Sequence, residues 1–167
     1  MKIRRMTATD DRMAASRVFE ESWKHAYRGI VPQAYLDSIP VGRWADKLDG
    51  IGWTTLVCVD EGRIVGTTCL CKSRLEQYAD WGEIGAIYLL PKFMGKGYGK
   101  ALIESAITEL KSLGFRKIFL WVLEENSRAR RFYEKMGFSS AGESMDLEIG
   151  GEVLREVRYI FEMEIIG

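Results

Sequence analysis

Between an apolar run that ends at Pro91 and an amphipathic stretch that begins at Leu102, the chain places Gly95, Gly97 and Gly99 at alternate positions. Few arrangements constrain a fold more. Glycines without β-carbons let an anion reach the backbone, and the following helix turns unpaired N–H groups and the positive end of its dipole to the same spot. This is the pattern of a phosphate cradle placed between a strand and a helix. Its spacing narrows the choice. A P-loop needs an earlier glycine where this chain has Met94, and a Ser or Thr where it has Ala101, so the magnesium-binding hydroxyl is missing. A dinucleotide fold needs G-x-G-x-x-G directly after its first strand, whereas these glycines run G-x-G-x-G past the middle of the chain.

The remainder reads as one domain of 167 residues, 47% of them hydrophobic, enough for a well-buried core. Lys and Arg total 24 and Asp and Glu total 24, so no net field favours nucleic acid. Cys58, Cys69 and Cys71 are odd in number and lack paired metal-ligand spacing, which argues for a reduced, cytoplasmic protein without a metal. No apolar run reaches the length of a bilayer span, and none follows a basic N-terminus, so a membrane partner and secretion are not expected.

Local patterns set out the elements. Residues 2–6 alternate as a strand, and Thr9 or Asp10 is placed to cap a helix with apolar Met13, Ala14, Val18 and Phe19. Pro32 suits the first turn of a short helix bearing Tyr35 and Leu36, within an aromatic-rich helical cover over residues 23–44. Residues 54–59 and 63–71 form a hairpin around Asp60, Glu61 and Gly62, and residues 83–90 supply a third strand ended by Pro91. The stripe Leu102, Ile103, Ala106, Ile107, Leu110 and Leu113 is a helix closed by Gly114. Residues 117–123 make a buried strand, Asn126 caps a helix ended by Gly137, and residues 138–149 and 152–165 form a hairpin around Gly150-Gly151.

Three linked motifs then carry a resemblance. Glu-Ile-Gly-Ala-Ile-Tyr-Leu-Leu-Pro leads into Met94-Gly95-Lys96-Gly97-Tyr98-Gly99, and Asn126-x-x-Ala129-x-x-x-Tyr133-x-x-x-Gly137-Phe138 follows. Together they resemble the acetyl-CoA signature of the GNAT N-acetyltransferase superfamily, with Met94 in place of the customary Arg or Gln. The resemblance implies an α/β (α+β) fold: a mixed, mostly antiparallel sheet of about seven strands flanked by about four helices. It implies acetyl transfer from acetyl-CoA to an amine by direct attack in a ternary complex, with no metal and no acyl-enzyme. Because Met94 carries no polar group, cofactor binding is expected to rest on backbone N–H groups from about residue 94 to 99, aided by Lys96 or Lys100.

Deprotonating an amine and stabilising a departing thiolate require a base and an acid on opposite sides of one carbon. The resemblance assigns Glu83 as the base, directly or through water, and burial of this carboxylate would push it toward the range of one. It assigns Tyr133 as the acid, with Asn126 and Ala129 beside the pantetheine arm. It also implies that the strand bearing Ile87, Tyr88 and Leu89 splays from its parallel neighbour, freeing the Ile87 or Leu89 N–H to polarise the acetyl carbonyl. The bland alternatives stay open: Glu83 as a structural carboxylate, Tyr133 as core, Asn126 as a cap only. His25, the one histidine, is a weak substrate-site candidate.

Trp23, Tyr27, Tyr35 and Trp44, interleaved with Glu20, Glu21 and Asp37, form either an aromatic and acidic pocket for a cationic amine or simply core. The phrase from Trp23 to Asp37 resembles the N-terminal region of bacterial polyamine-acetylating enzymes, which points to a small-molecule amine, a polyamine foremost. A protein N-terminal or lysine acetyltransferase and a non-catalytic acetyl-CoA sensor are the alternatives. Many relatives form homodimers, so a homodimer is compatible with the resemblance.

Overall fold

In the computed structural model, residues 1–164 are described. In chain order they form β1 (Lys2–Arg5), α1 (Arg12–Ala26), α2 (Gln33–Ser38), β2 (Trp53–Asp60), β3 (Arg63–Lys72), β4 (Gly82–Leu89), α3 (Tyr98–Ser112), β5 (Lys117–Leu123), α4 (Ser127–Lys135), β6 (Ser139–Ile149) and β7 (Glu152–Glu162). The expected end of the last strand at Ile165 lies outside the described residues. The strands make one sheet in the order β1-β2-β3-β4-β5-β7-β6. Every neighbouring pair is antiparallel except β4 and β5, as a β4–α3–β5 crossover requires. The two hairpins turn on Glu61-Gly62 and Gly150-Gly151, all four at positive φ, the backbone that matches strand twist.

The helices cover both faces. Ile103, Ala106 and Leu110 of α3 and Tyr133 of α4 pack on Leu56, Leu70, Ile84, Ile118 and Leu120. Each fully buried Leu or Ile there contributes about 1.5–3 kcal/mol of transfer free energy. On the other face, Ala15 and Phe19 of α1 meet Cys69, Ala86 and Tyr88, while Leu36 of α2 meets Leu123 and Leu147 near the terminal hairpin.

Two local expectations change. The cap of α1 is Asp11, whose side chain accepts from Ala14 N at 3.0 Å. Asp10 is already committed, since it takes both nitrogens of the Arg4 fork at 2.8 and 2.7 Å and the Thr7 N–H at 2.7 Å. The buried stripe of α1 also shifts, with Ala15 and Ser16 inside while Met13 is half exposed. Ser16 is tolerated there because its Oγ donates to Glu20 at 2.6 Å.

One irregularity positions everything that follows. Cys69 faces Ala86 but Leu70 faces Ile84, so Gly85 is an extra residue, a β-bulge in β4. The bulge resets the alternation: Ile84 stays on the α3 face, while Ala86 and Tyr88 turn to the α1 face, the side of Glu83. Beyond Ile84, β4 leaves β5; their pairing covers only Gly82, Glu83 and Ile84 against Ile118, Phe119 and Leu120. The two strands therefore open like a V through the middle of the sheet.

Candidate active site

A cleft of about 1140 Å³ runs through this opening. One wall is the free edge of β4. Leu90 N–H donates to Val65 O at 2.8 Å, and Tyr88 stands opposite Thr67. By the two-residue alternation of an antiparallel ladder, the amides of Ala86 and Tyr88 face β3 and those of Ile87 and Leu89 face the opening. The Leu89 carbonyl, on that same side, accepts from Ser22 Oγ at 3.0 Å. Buried backbone groups without partners are rare, so an edge left open in the centre of a sheet is a place for a ligand to add itself as a strand.

At one end of the cleft stands the glycine loop. Gly95 and Gly97 take φ of +73° and +87°, and a Cβ built at either would meet nothing within 4 Å. Their absence thus serves the left-handed backbone and leaves open space over it. Gly97 is the N-cap of α3 and offers no side-chain cap. The first helical bond is Ala101 N to Gly97 O at 3.1 Å, and among the described residues no acceptor takes the N–H of Gly95, Lys96, Gly97, Tyr98, Gly99 or Lys100. A pyrophosphate fits six free amides at a helix start. The expected range needs one correction: Met94 N–H is spent on Pro91 O at 3.1 Å, because a single helical turn precedes it. Met94 instead lines the cleft with its side chain. Lys100 lines it too, beside an i,i+4 partner, Glu104, at 3.9 Å. Lys96 is exposed, and Tyr98 meets Phe93 edge to face at 5.3 Å.

Helix α4 forms the facing wall. Asn126 caps it, its Oδ1 accepting from Ala129 N at 3.2 Å, which settles the cap while leaving the amide NH₂ on the cleft. Ala129 and Tyr133 line the same cleft. Tyr133 is 8% exposed, and its hydroxyl makes no hydrogen bond among the described residues. Burial, with Tyr27 nearby, pushes this phenol well above its ordinary value, so it stands protonated as a donor.

The other end is aromatic and acidic. Trp23 and Tyr27 meet edge to face at 4.8 Å, and the hydroxyls of Tyr27 and Tyr88 lie 3.3 Å apart. Burial raises both phenols. Trp23 Nε1 is buried and makes no hydrogen bond among the described residues. Glu83 is 2% exposed and is not alone: Arg74 grips it through its backbone N–H at 3.1 Å and its guanidinium at 2.6 Å. Arg74 is itself braced over the Trp53 ring at 5.3 Å. No local motif marks this Glu83–Arg74 ion pair, which the expectation of a carboxylate governed by burial leaves out.

Of the other aromatic candidates, Tyr35 and Trp44 pack against Trp23 at 6.3 and 5.7 Å between ring centroids, but neither lines the cleft. Tyr35 lies outside the cleft, accepting from Arg43 at 2.9 Å and packed on Gly150 of the terminal turn. Trp44 stacks on Phe19, Glu20 holds Ser16 and the Gly42 N–H, Glu21 pairs with Arg17 and Asp37 accepts from Gln33. His25 is exposed at the rim. The second carboxylate of the cleft is Glu156 of β7, which sequence reasoning missed. It sits on the alternating terminal hairpin, 73 positions after Glu83 by the numbering, and no local motif marks it. Cys69 and Cys71 are buried, and burial pushes the Cys71 thiol up to about 12, which disfavours a thiolate nucleophile.

The family model for the acetyltransferase (GNAT) family matches residues 15–138, which contain the splayed strands, the loop and α4. The chain belongs to that family. Among its relatives is the uncharacterized N-acetyltransferase YuaI of Bacillus subtilis, 33% identical over 148 residues, covering 85% of this chain and 82% of that one. The spermidine N(1)-acetyltransferase of Thermoplasma acidophilum is 28% identical over 138 residues, covering 80% and 86%. The solved PaiA N-acetyltransferase of T. acidophilum in complex with coenzyme A superimposes with a TM-score of 0.68 at 24% identity, covering 93% and 98%. Family membership makes this GNAT chain an acetyl-CoA-dependent acetyltransferase by class, and its mixed seven-stranded sheet with four helices is the expected fold. No helix among the described residues is long and apolar enough to cross a membrane.

Proposed function

We propose that this GNAT protein, acting as one domain in the cytoplasm, moves the acetyl group of acetyl-CoA to a primary amine of a cationic small molecule, a polyamine foremost. The observation that carries the reading is the polarity of one cleft: six unpaired amides at one end, two carboxylates among aromatic rings at the other. The spermidine-acetylating relative supports the choice of acceptor.

In this reading the amides of residues 95–100 hold the pyrophosphate, and the pantetheine lies along the free edge of β4. The Ile87 or Leu89 N–H donates to the acetyl carbonyl as negative charge develops on its oxygen. The amine nitrogen bonds to the carbonyl carbon, the carbon–sulfur bond breaks, and Tyr133 gives its proton to the departing sulfur, recovering one from solvent. The amine's own proton leaves through water toward the carboxylate end. Glu83, locked by Arg74, serves there as a fixed charge at the end of that relay more readily than as a base in direct contact with the amine.

Following free-thiol release from acetyl-CoA with polyamines, aminoglycosides, amino acids and peptides tests this reading. Release is expected with spermidine-like amines, and Tyr133→Phe should lower kcat about 10²-fold or more while coenzyme A still binds. Release only with peptides would instead establish a protein acetyltransferase. Cofactor binding without amine-dependent release would leave a sensor.

A further inference from the structure

Glu156 has no assigned task, yet its surroundings are unusual. It stands on β7 opposite Leu123 of β5 and Met145 of β6, on the face of the sheet toward α1, and it lines the cleft. Neither neighbour can bond to it. No hydrogen bond or ion pair to it exists among the described residues, whereas Glu83 is gripped from two directions. The groups that face it come from three elements. Tyr27, at the C-cap of α1, is near enough for the Glu156 charge to add to the rise of its phenol. Arg74 after β3 favours the Glu156 charge, Glu83 of β4 opposes it, and burial opposes it most.

A half-buried carboxylate without a hydrogen-bonded partner among the described residues costs free energy that Arg74 offsets only in part. A ligand cation offsets it. Trp23 and Tyr27 line the same cleft, and aromatic rings there suit a cation as well, since the ring quadrupole attracts an ammonium. Arg74 cannot fill that role, being held by Glu83 and Trp53.

We propose that Glu156 is the residue that recognises the acceptor, taking a second, protonated amino group of a diamine or polyamine while a neutral amine of the same molecule faces the acetyl carbonyl. The inference rests on the acetyl-transfer reading above and deepens it, because it demands two amino groups on one acceptor. Glu156 is then a specificity residue that touches substrate.

Spermidine and n-butylamine distinguish the cases, since both offer a primary amine and only one carries a second charge. In the wild-type protein spermidine is the better acceptor. In Glu156→Gln the ratio of kcat/KM for spermidine to that for butylamine falls about tenfold or more, carried by KM, on the scale of one charge-assisted hydrogen bond. Glu156→Asp keeps most of the preference, and coenzyme A affinity checks that each variant is folded. An unchanged ratio in Glu156→Gln, or an equal loss with both amines, overturns the assignment while leaving acetyl transfer in place. If the wild type releases no thiol with any amine, the transfer reading fails on its own. Calorimetric binding of spermidine to the coenzyme A-loaded protein then decides: weakening by about tenfold in Glu156→Gln supports the site, and equal affinity or no binding to the wild type overturns it.

Discussion

At the scale of single residues, the two cleft carboxylates show how environment divides identical chemistry. Glu83 is the more buried yet is held by a guanidinium and an amide. Glu156 is less buried and makes no hydrogen bond or ion pair among the described residues, and burial raises its pKa above the ordinary glutamate value. The sign of the linked effect on stability follows. Below the unfolded-state pKa of about 4.3 both states hold the proton and the group is neutral to stability. As pH rises through the raised folded value, the folded state is charged against its environment and stability is lost. Glu156→Gln is therefore expected to raise the apo protein's Tm at neutral pH, with the difference vanishing at acid pH. Thermal melts across that range check this, and a variant less stable than the wild type at neutral pH would show that Glu156 has a structural partner. Legibility at this scale is uneven. Glu83 and Tyr133 were readable because each sits in a local motif. Arg74, Glu156 and the position of Tyr35 behind Trp23 were not, since contacts between a loop, a central strand and a terminal hairpin leave no trace in spacing.

Among the elements, β4 carries the most consequence. The sequence showed a strand ended by Pro91, and the observed β4 differs from the expected bounds by one residue at each end. The bulge at Gly85 was not legible, because a glycine within a β-rich run fits several roles. What requires glycine there lies across the sheet: a Cβ at Gly85 would come within 2.5 and 2.6 Å of the Trp53 ring, and that ring supports Arg74. Gly85→Ala should cost about 1–3 kcal/mol by overpacking. It should also weaken acetyl transfer beyond that loss, because the displaced ring no longer braces Arg74. Denaturant midpoints and kcat/KM measured on the same variant separate the two effects. A variant with wild-type stability and turnover would show that Trp53 yields at no cost. Helices α3 and α4 were the most legible elements, since apolar periodicity and the Asn126 cap are local signals that tertiary packing reinforced.

Taken as a whole molecule, the protein is built around two departures from regular structure that meet in one place. A sheet that would close at β4 and β5 is split, and a helix that would be capped is left open. The mixed-sheet fold was legible through the resemblance carried by the linked motifs, but the strand order, with β7 entering between β5 and β6, was not, because pairing between strands distant in sequence leaves no local signal. The depth of the split was not, because it depends on the bulge. The central claim is that the open edge of β4 and the uncapped start of α3 together receive coenzyme A. Amide hydrogen exchange with and without coenzyme A tests it most directly. Protection is expected at the N–H groups of residues 95–100 and at Ile87 and Leu89, with Ala86 and Tyr88, already bonded to β3, showing no comparable gain. Binding of coenzyme A that leaves residues 95–100, Ile87 and Leu89 exchanging as in the free protein would contradict the account.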